Sequence, residues 1–156
     1  MRLRYLLPLA ALALAAARPA AAQQTMVFPH FVERTGSVAT MPWTFDTNLY
    51  VINYRIGGEM ELFLKGTDGL PLKALGGAAV CDPCHIPLVK RTLIRLEDLI
   101  TGAGGMPAPM VSGFIEIRLK NGASFDGLAV QALLVNSHSS QFDLSYTALQ
   151  ATMVTQ

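Results

Sequence analysis

A period-two alternation of apolar and polar residues runs through most of this sequence and limits the possible folds more than any other feature. In residues 49–56, 59–65, 115–120 and 141–148, apolar side chains occupy every second position. Successive side chains of a β-strand point to opposite faces of a sheet, so this period indicates half-buried strands. Residues 88–100 are the best candidate for a helix, and their pattern suits a strand at least as well. The sequence therefore predicts an all-β domain.

Turn signals between these segments predict how the strands connect. Gly57-Gly58 and Asn121-Gly122 each follow an alternating segment and indicate hairpins. Residues 128–135 are nearly all apolar, which is typical of a central strand covered on both faces. For a chain of 156 residues we expect one domain, with about seven to nine short strands. This favours an antiparallel two-sheet β-sandwich, with a small closed β-barrel as the alternative.

The first 22 residues have the pattern of a secretory signal peptide. Two arginines in the first four residues precede an apolar run at 5–17, and three alanines precede Gln23. The run is shorter than the roughly 20 residues that cross a bilayer, so we expect no membrane span. Cleavage near Ala22-Gln23 would leave residues 23–156 as a single domain in the periplasm or outside the cell.

Composition excludes two classes of protein. Hydrophobic residues make up 51% of the chain and charged residues 15%, which argues against disorder. The formal net charge of the whole sequence is only +1, and the predicted signal contributes three arginines to it. A protein that binds nucleic acid by neutralising phosphates needs a basic surface, so we expect no nucleic-acid partner.

The most informative motif is C-x-x-C-H at residues 81–85. In an exported protein this is the attachment signature of c-type haem, with Cys81 and Cys84 bonded to the vinyl groups and His85 bound to iron. Met106 lies in a Gly-Gly-Met-Pro segment that resembles the distal-ligand loop of class I cytochromes c. Those proteins are helical and separate the two ligands by a longer stretch. The resemblance is therefore confined to two short motifs.

Three other chemistries use the same cysteines. Exported cysteines form disulfides by default, and two cysteines allow one pairing, Cys81 with Cys84. C-x-P-C is also the motif of thiol exchange, but Ile86-Pro87 disfavours the helix that would stabilise a thiolate. A zinc site lacks a second pair of ligands, because His30 and His138 are isolated in the sequence.

Two further segments suggest binding or catalysis. Ser, His and Asp occur together in residues 137–143, but they lack the elbow and oxyanion hole of a hydrolase, and a polar turn explains them. Trp43 follows Pro42 in an expected loop, where an exposed indole would stack on a sugar.

Four segments together resemble a group of uncharacterised exported bacterial all-β proteins. They are Thr-Phe-Asp-Thr at 44–47, the C-x-x-C, Leu-Glu-Asp-Leu-Ile at 96–100, and V-N-S-H-S-S-Q-F-D-L-S at 135–145. The resemblance implies a structural cysteine pair, leaves His85 incidental, and carries no assigned activity. We therefore expect an exported, non-catalytic β-sandwich with a structural or interaction role and no cofactor. Its partner would be a protein or a surface, or a second copy paired through an edge strand. The alternative is a monohaem electron carrier.

Overall fold

The computed structural model describes residues 24–34, 43–54, 57–120, 124–138 and 141–155, with the backbone alone at 43, 138 and 141–144. These residues form nine strands and one short helix. The strands are β1 (Gln24–Arg34), β2 (Trp43–Asn53), β3 (Glu59–Gly66), β4 (Cys84–Pro87), β5 (Arg91–Arg95), β6 (Met110–Leu119), β7 (Leu128–His138), β8 (Gln141–Leu149) and β9 (Thr152–Thr155). The helix α1 (Leu96–Gly102) follows β5 directly. The prediction of an all-β chain is confirmed at this level.

All strand pairs of the described residues are antiparallel and belong to one sheet, in the order β4-β3-β6-β1-β2-β7-β8. Strand β5 pairs with β2, and β9 pairs with β1. Strands β4 and β8 lie at opposite ends of this order and do not pair with each other within the described residues. The sheet is therefore open, and the closed-barrel alternative is wrong.

The sheet has two halves that meet where β1 pairs with β2. Among the described residues, the register pair between these strands is Arg34 with Phe45. We call β4, β3, β6, β1 and β9 the first half, and β5, β2, β7 and β8 the second half. Side chains also link the halves: the Thr47 hydroxyl donates to the Val32 carbonyl at 3.0 Å.

One hydrophobic core unites the two halves. Burial alternates with residue number along β3 and β6, as the sequence pattern requires. The second half contributes Leu49 and Val51 of β2 to the same cluster. Leu96 and Ile100, one turn apart on α1, are also fully buried. Glu97 and Asp98 in the first turn favour this helix, which the period-two pattern did not reveal.

Both predicted hairpins are wrong. Gly57-Gly58 lies between β2 and β3, but β2 pairs with β1, β5 and β7, whereas β3 pairs with β4 and β6. Asn121-Gly122 lies outside the described residues, and the strands on either side of it do not pair with each other. In each case the strands before and after the glycine do not pair with each other. A turn signal specifies a local reversal but not the neighbour that the next strand finds.

The structure contains no helix, among the residues that it describes, with the length and apolar character to cross a membrane.

Candidate functional site

The C-x-x-C-H motif forms a stapled turn at one edge of the sheet. Cys81 and Cys84 are joined in a disulfide with their Cα atoms 4.3 Å apart. The main-chain oxygen of Cys81 accepts a hydrogen bond from the Leu64 amide of β3. Cys84 begins β4, which pairs with residues 59–62 of β3. The bridge therefore fixes the entry of the edge strand β4 against β3, as the structural interpretation of the cysteines predicts.

His85 is held by charge at the surface. Its Nδ1 lies 2.8 Å from Oε1 of Glu59, and the same carboxylate oxygen accepts a hydrogen bond from Nζ of Lys120 at 2.7 Å. The Lys120 hydrogen bond, reinforced by that of His85, lowers the pKa of Glu59 below its usual value. Glu59 in turn raises the pKa of Lys120. About half of the His85 side chain is exposed. The cluster therefore links β4, β3 and the residue after β6 at the surface of the protein.

The geometry of this motif bears on the haem alternative. Thioether attachment needs two free thiols, whereas the Sγ atoms of Cys81 and Cys84 are bonded to each other. Axial ligation uses Nε2 of the imidazole in an apolar pocket, whereas about half of the His85 side chain is exposed at the edge of the sheet. Met106 lies between α1 and β6, half-buried against the hydrophobic core. The disulfide favours the structural interpretation of the cysteines, and the electron-carrier alternative stays a prediction.

The late Ser-His segment forms the end of β7. The hydroxyls of Thr44 and Ser137 are hydrogen-bonded across β2 and β7. His138 pairs with Trp43 in the backbone register, and its side chain lies outside the described residues, as does that of Trp43. The expected turn is shorter than predicted, because residues 136–138 belong to β7, and residues 139–140 lie outside the described residues. Trp43 begins β2 instead of lying in a loop, and its role in binding stays a prediction.

A group of exposed apolar side chains lies on one face of the second half of the sheet. On β2, Tyr50 and Ile52 are both 39% exposed, and Leu93, the register partner of Tyr50 on β5, is 54% exposed. Register pairing extends the same face to β7 and to Tyr146 of β8, which is 61% exposed. We call this side of the second half the outer face; its members are Asp46, Asn48, Tyr50, Ile52, Arg91, Leu93, Arg95, Ala129, Gln131, Leu133, Val135, Tyr146 and Ala148.

The outer face can bind by apolar contact and has a cationic border. Aromatic and aliphatic side chains aligned on adjacent strands are the usual centre of a protein interface. On β5, Arg91 comes two positions before Leu93 and Arg95 two positions after it, all on this face. A terminal guanidinium nitrogen of Arg95 lies 3.3 Å from Oε2 of Glu97. The isolated residues of the sequence motifs did not point to this face, because strand pairing brings its members together.

A cleft of about 700 Å³ opens beside the end of β2. Its apolar walls include Ile52, Leu88 and Val89, and Lys90 lies at its rim. The buried Asn53 supports the wall, because its side-chain nitrogen donates to the carbonyl oxygen of Gly57 at 3.1 Å. Since Ile52 also belongs to the outer face, the cleft is the concave continuation of that surface.

One acidic side chain is buried where the two halves of the sheet meet. Oε1 of Glu33 accepts a hydrogen bond from the Thr47 amide at 2.6 Å, and Oε2 has no hydrogen-bond partner among the described residues. Burial, opposed by the Thr47 hydrogen bond and reinforced by Asp46, raises the pKa of Glu33 to about 8. At neutral pH this group is a protonated acid that links β1 to β2.

No protein-family model and no curated protein matches the chain. Among solved structures, the one titled "Crystal Structure of Thermotoga maritima 1070" aligns over 83% of this chain and 93% of its own, with 11% sequence identity and a TM-score of 0.48. At this level the likeness carries no statement about function.

Proposed function

We propose that this protein is an exported, non-catalytic interaction module whose outer face binds a separate protein. The observation that carries the proposal is the exposure of Tyr50, Ile52, Leu93 and Tyr146 on one face of four paired strands. Scattered apolar side chains are normal at a protein surface, but Tyr50 and Leu93 are register partners, and Ile52 follows Tyr50 on the same face. The partner that fits is an apolar surface with carboxylates opposite Arg91.

The sequence of β7 supports this proposal. Residues 128–135 are nearly all apolar and resemble a strand that is covered on both faces. In the structure only Ala132 of these eight residues is buried. The chain itself provides no cover for the outer face among the described residues. A partner that covers this face would give the strand the surroundings that its sequence predicts.

The finer architecture belongs to the same proposal. Both halves of the sheet contribute to one core, and among the described residues β1 and β2 are joined by one register pair. An open sheet with these two properties can fold over at that junction into two layers, a β-sandwich with its inner faces packed together. One layer then presents the outer face to the partner.

The proposal includes export of the protein from the cytoplasm. The signal-like residues 1–22 and the disulfide both suit an oxidising compartment, the periplasm or the outside of the cell. Sequencing the amino terminus of the purified protein tests this directly, with Gln23 as the expected first residue. A retained Met1 would contradict it.

Site-specific photo-crosslinking in the producing cell tests the interaction itself. A photoreactive residue at Leu93 should give one discrete adduct with another protein, identified by mass spectrometry. Leu75 is the matched control, because it is a leucine 69% exposed outside the outer face. We expect no adduct there.

Three results would contradict the proposed function. They are no adduct from Leu93, the same adducts from Leu93 and Leu75, and an adduct that joins two copies of this chain at Leu93. Conversely, Tyr50→Lys should abolish the Leu93 adduct, because a charge at the neighbouring register position opposes apolar burial.

A further inference from the structure

We propose that β8 pairs with β8 of a second copy of this chain, so that two molecules share one continuous antiparallel sheet. Strand β8 is nine residues long and lies at the end of the sheet order, where β7 is its only partner among the described strands. Residues Ser145–Ala148 are exposed on both faces, as the alternation along the strand shows. A strand in this position presents a row of unpaired main-chain donors and acceptors.

The other edges of the described sheet are short or protected, and β8 is neither. Strand β4 has four residues, ends at Pro87 and is tied by the disulfide. Strand β9 also has four residues. Strand β5 has five residues, is bordered by Arg91 and Arg95 and continues directly into α1. Proteins block edge pairing by short strands, prolines and charges, and residues 144–149 of β8 contain neither a proline nor a charge.

A second copy fits this edge because an antiparallel pair is self-complementary. A two-fold axis perpendicular to the sheet places β8 opposite itself and keeps each face of the sheet on the same side in both molecules. Pairing centred within residues 144–149 brings only uncharged side chains of that stretch opposite each other, so like charges do not meet at its centre. The two outer faces would join into one surface with the Tyr146 side chains near its middle.

This symmetry makes a sharp prediction for cysteine crosslinking. In a two-fold antiparallel pair one residue position faces its own copy, and its neighbours do not. Cysteines introduced singly at residues 143–149 of the processed protein should therefore give a disulfide-linked dimer with one maximum along the series. Cysteine at Thr152 on the β9 edge is the control, and we expect it to remain unlinked. A series with no linked position, or with equal linking at every position and at Thr152, would overturn the proposal.

Charge substitution gives a second, independent readout. The processed protein should have twice the monomer mass by light scattering, and Thr147→Lys should return it to the monomer mass with an unchanged circular dichroism spectrum. Thr152→Lys, the same change at an exposed threonine of another edge strand, should leave the dimer intact. A monomeric wild type at about 100 μM, or a dimer that Thr147→Lys leaves intact, would overturn the proposal.

The two proposals fail separately. If Leu93→Lys dissociates the dimer and Thr147→Lys does not, the self-association runs through the outer face and the β8 proposal is wrong. If the β8 dimer forms and photo-crosslinking at Leu93 finds no other protein, the interaction proposal is wrong and the edge pairing stands.

Discussion

The two halves of the sheet share the same alternating sequence pattern, but they differ in how many of the alternating side chains are buried. In β6 every second residue from Val111 to Leu119 is buried, because β1 and β3 lie on both sides and the core lies beneath. In β8 the described side chains from Ser145 to Ala148 are exposed at every position, although the strand alternates equally well in sequence. Alternation therefore reports that a strand has two faces, and neighbouring elements decide whether either face is buried.

The largest loss of stability should come from substituting Gly113 in the first half, where β6 and β3 approach most closely. Gly113 of β6 pairs with Phe31 of β1 and with Gly66 of β3. A Cβ atom at this position would overlap the main-chain oxygen of Lys65. We expect Gly113→Ala to abolish the cooperative urea transition, because the overlap involves backbone that cannot move without breaking the β3–β6 ladder.

The control is Gly76→Ala, since a Cβ atom there meets nothing within 4 Å. Its unfolding midpoint should match that of the wild type. A wild-type midpoint for Gly113→Ala would show that β3 and β6 tolerate a wider separation, and the contrast between the halves would weaken.

Side-chain truncation compares the halves directly. Ile117 of β6 is fully buried, whereas Leu133 of β7 is half-buried on the outer face. We expect Ile117→Ala to lower the free energy of unfolding by about 4 kcal/mol and Leu133→Ala by about 1 kcal/mol or less, measured by urea unfolding of the monomer. Equal losses would mean that the outer face is already covered in the isolated chain.

The free energy of unfolding should depend on pH because of Glu33, which lies at the junction between the halves. The pKa of Glu33 is raised to about 8 by burial, so its protonated form stabilises the fold fully below about pH 4.5, and this stability is lost as the pH rises through 8. Glu33→Gln keeps an acceptor for the Thr47 amide and removes the titration. At pH 7 we expect the variant to be more stable by roughly 3 kcal/mol.

At pH 4 the two proteins should unfold at the same urea concentration. A stability difference that does not change between pH 4 and pH 8 would show that Glu33 is not titrating at the junction, and that the halves are linked there by packing alone.

The disulfide should give the smallest of these effects. Its loop is short, so the Cys81→Ser/Cys84→Ser variant should lose only about 2 kcal/mol and keep the sheet. The loss should concentrate at the β4 edge and leave hydrogen exchange in β7 unchanged. The intact mass of the wild type should be two hydrogens below that of the reduced chain. A red product with a haemochrome spectrum from a host that matures cytochromes would contradict this state of the cysteines.

Much of the candidate site could be read from single segments, and the rest could not. The disulfide was one of four chemistries that the sequence allowed for its two cysteines, and the count of cysteines left a single possible pairing. The outer face depends on the pairing of Tyr50 with Leu93 of β5, and of Tyr146 of β8 with Val135 of β7. Glu33 carried no motif, since its perturbed pKa arises from burial at the meeting of β1 and β2.

By itself the sequence determined most of the strands, because side chains alternate along them, although it did not reveal helix α1. It also determined that the chain has one core, since the apolar residues suffice for one domain. Only the tertiary structure decided which strands became neighbours, where the sheet stayed open and which face was left exposed. The physical reason is that alternation is a property of one strand, whereas pairing and burial depend on contacts between residues far apart in the chain.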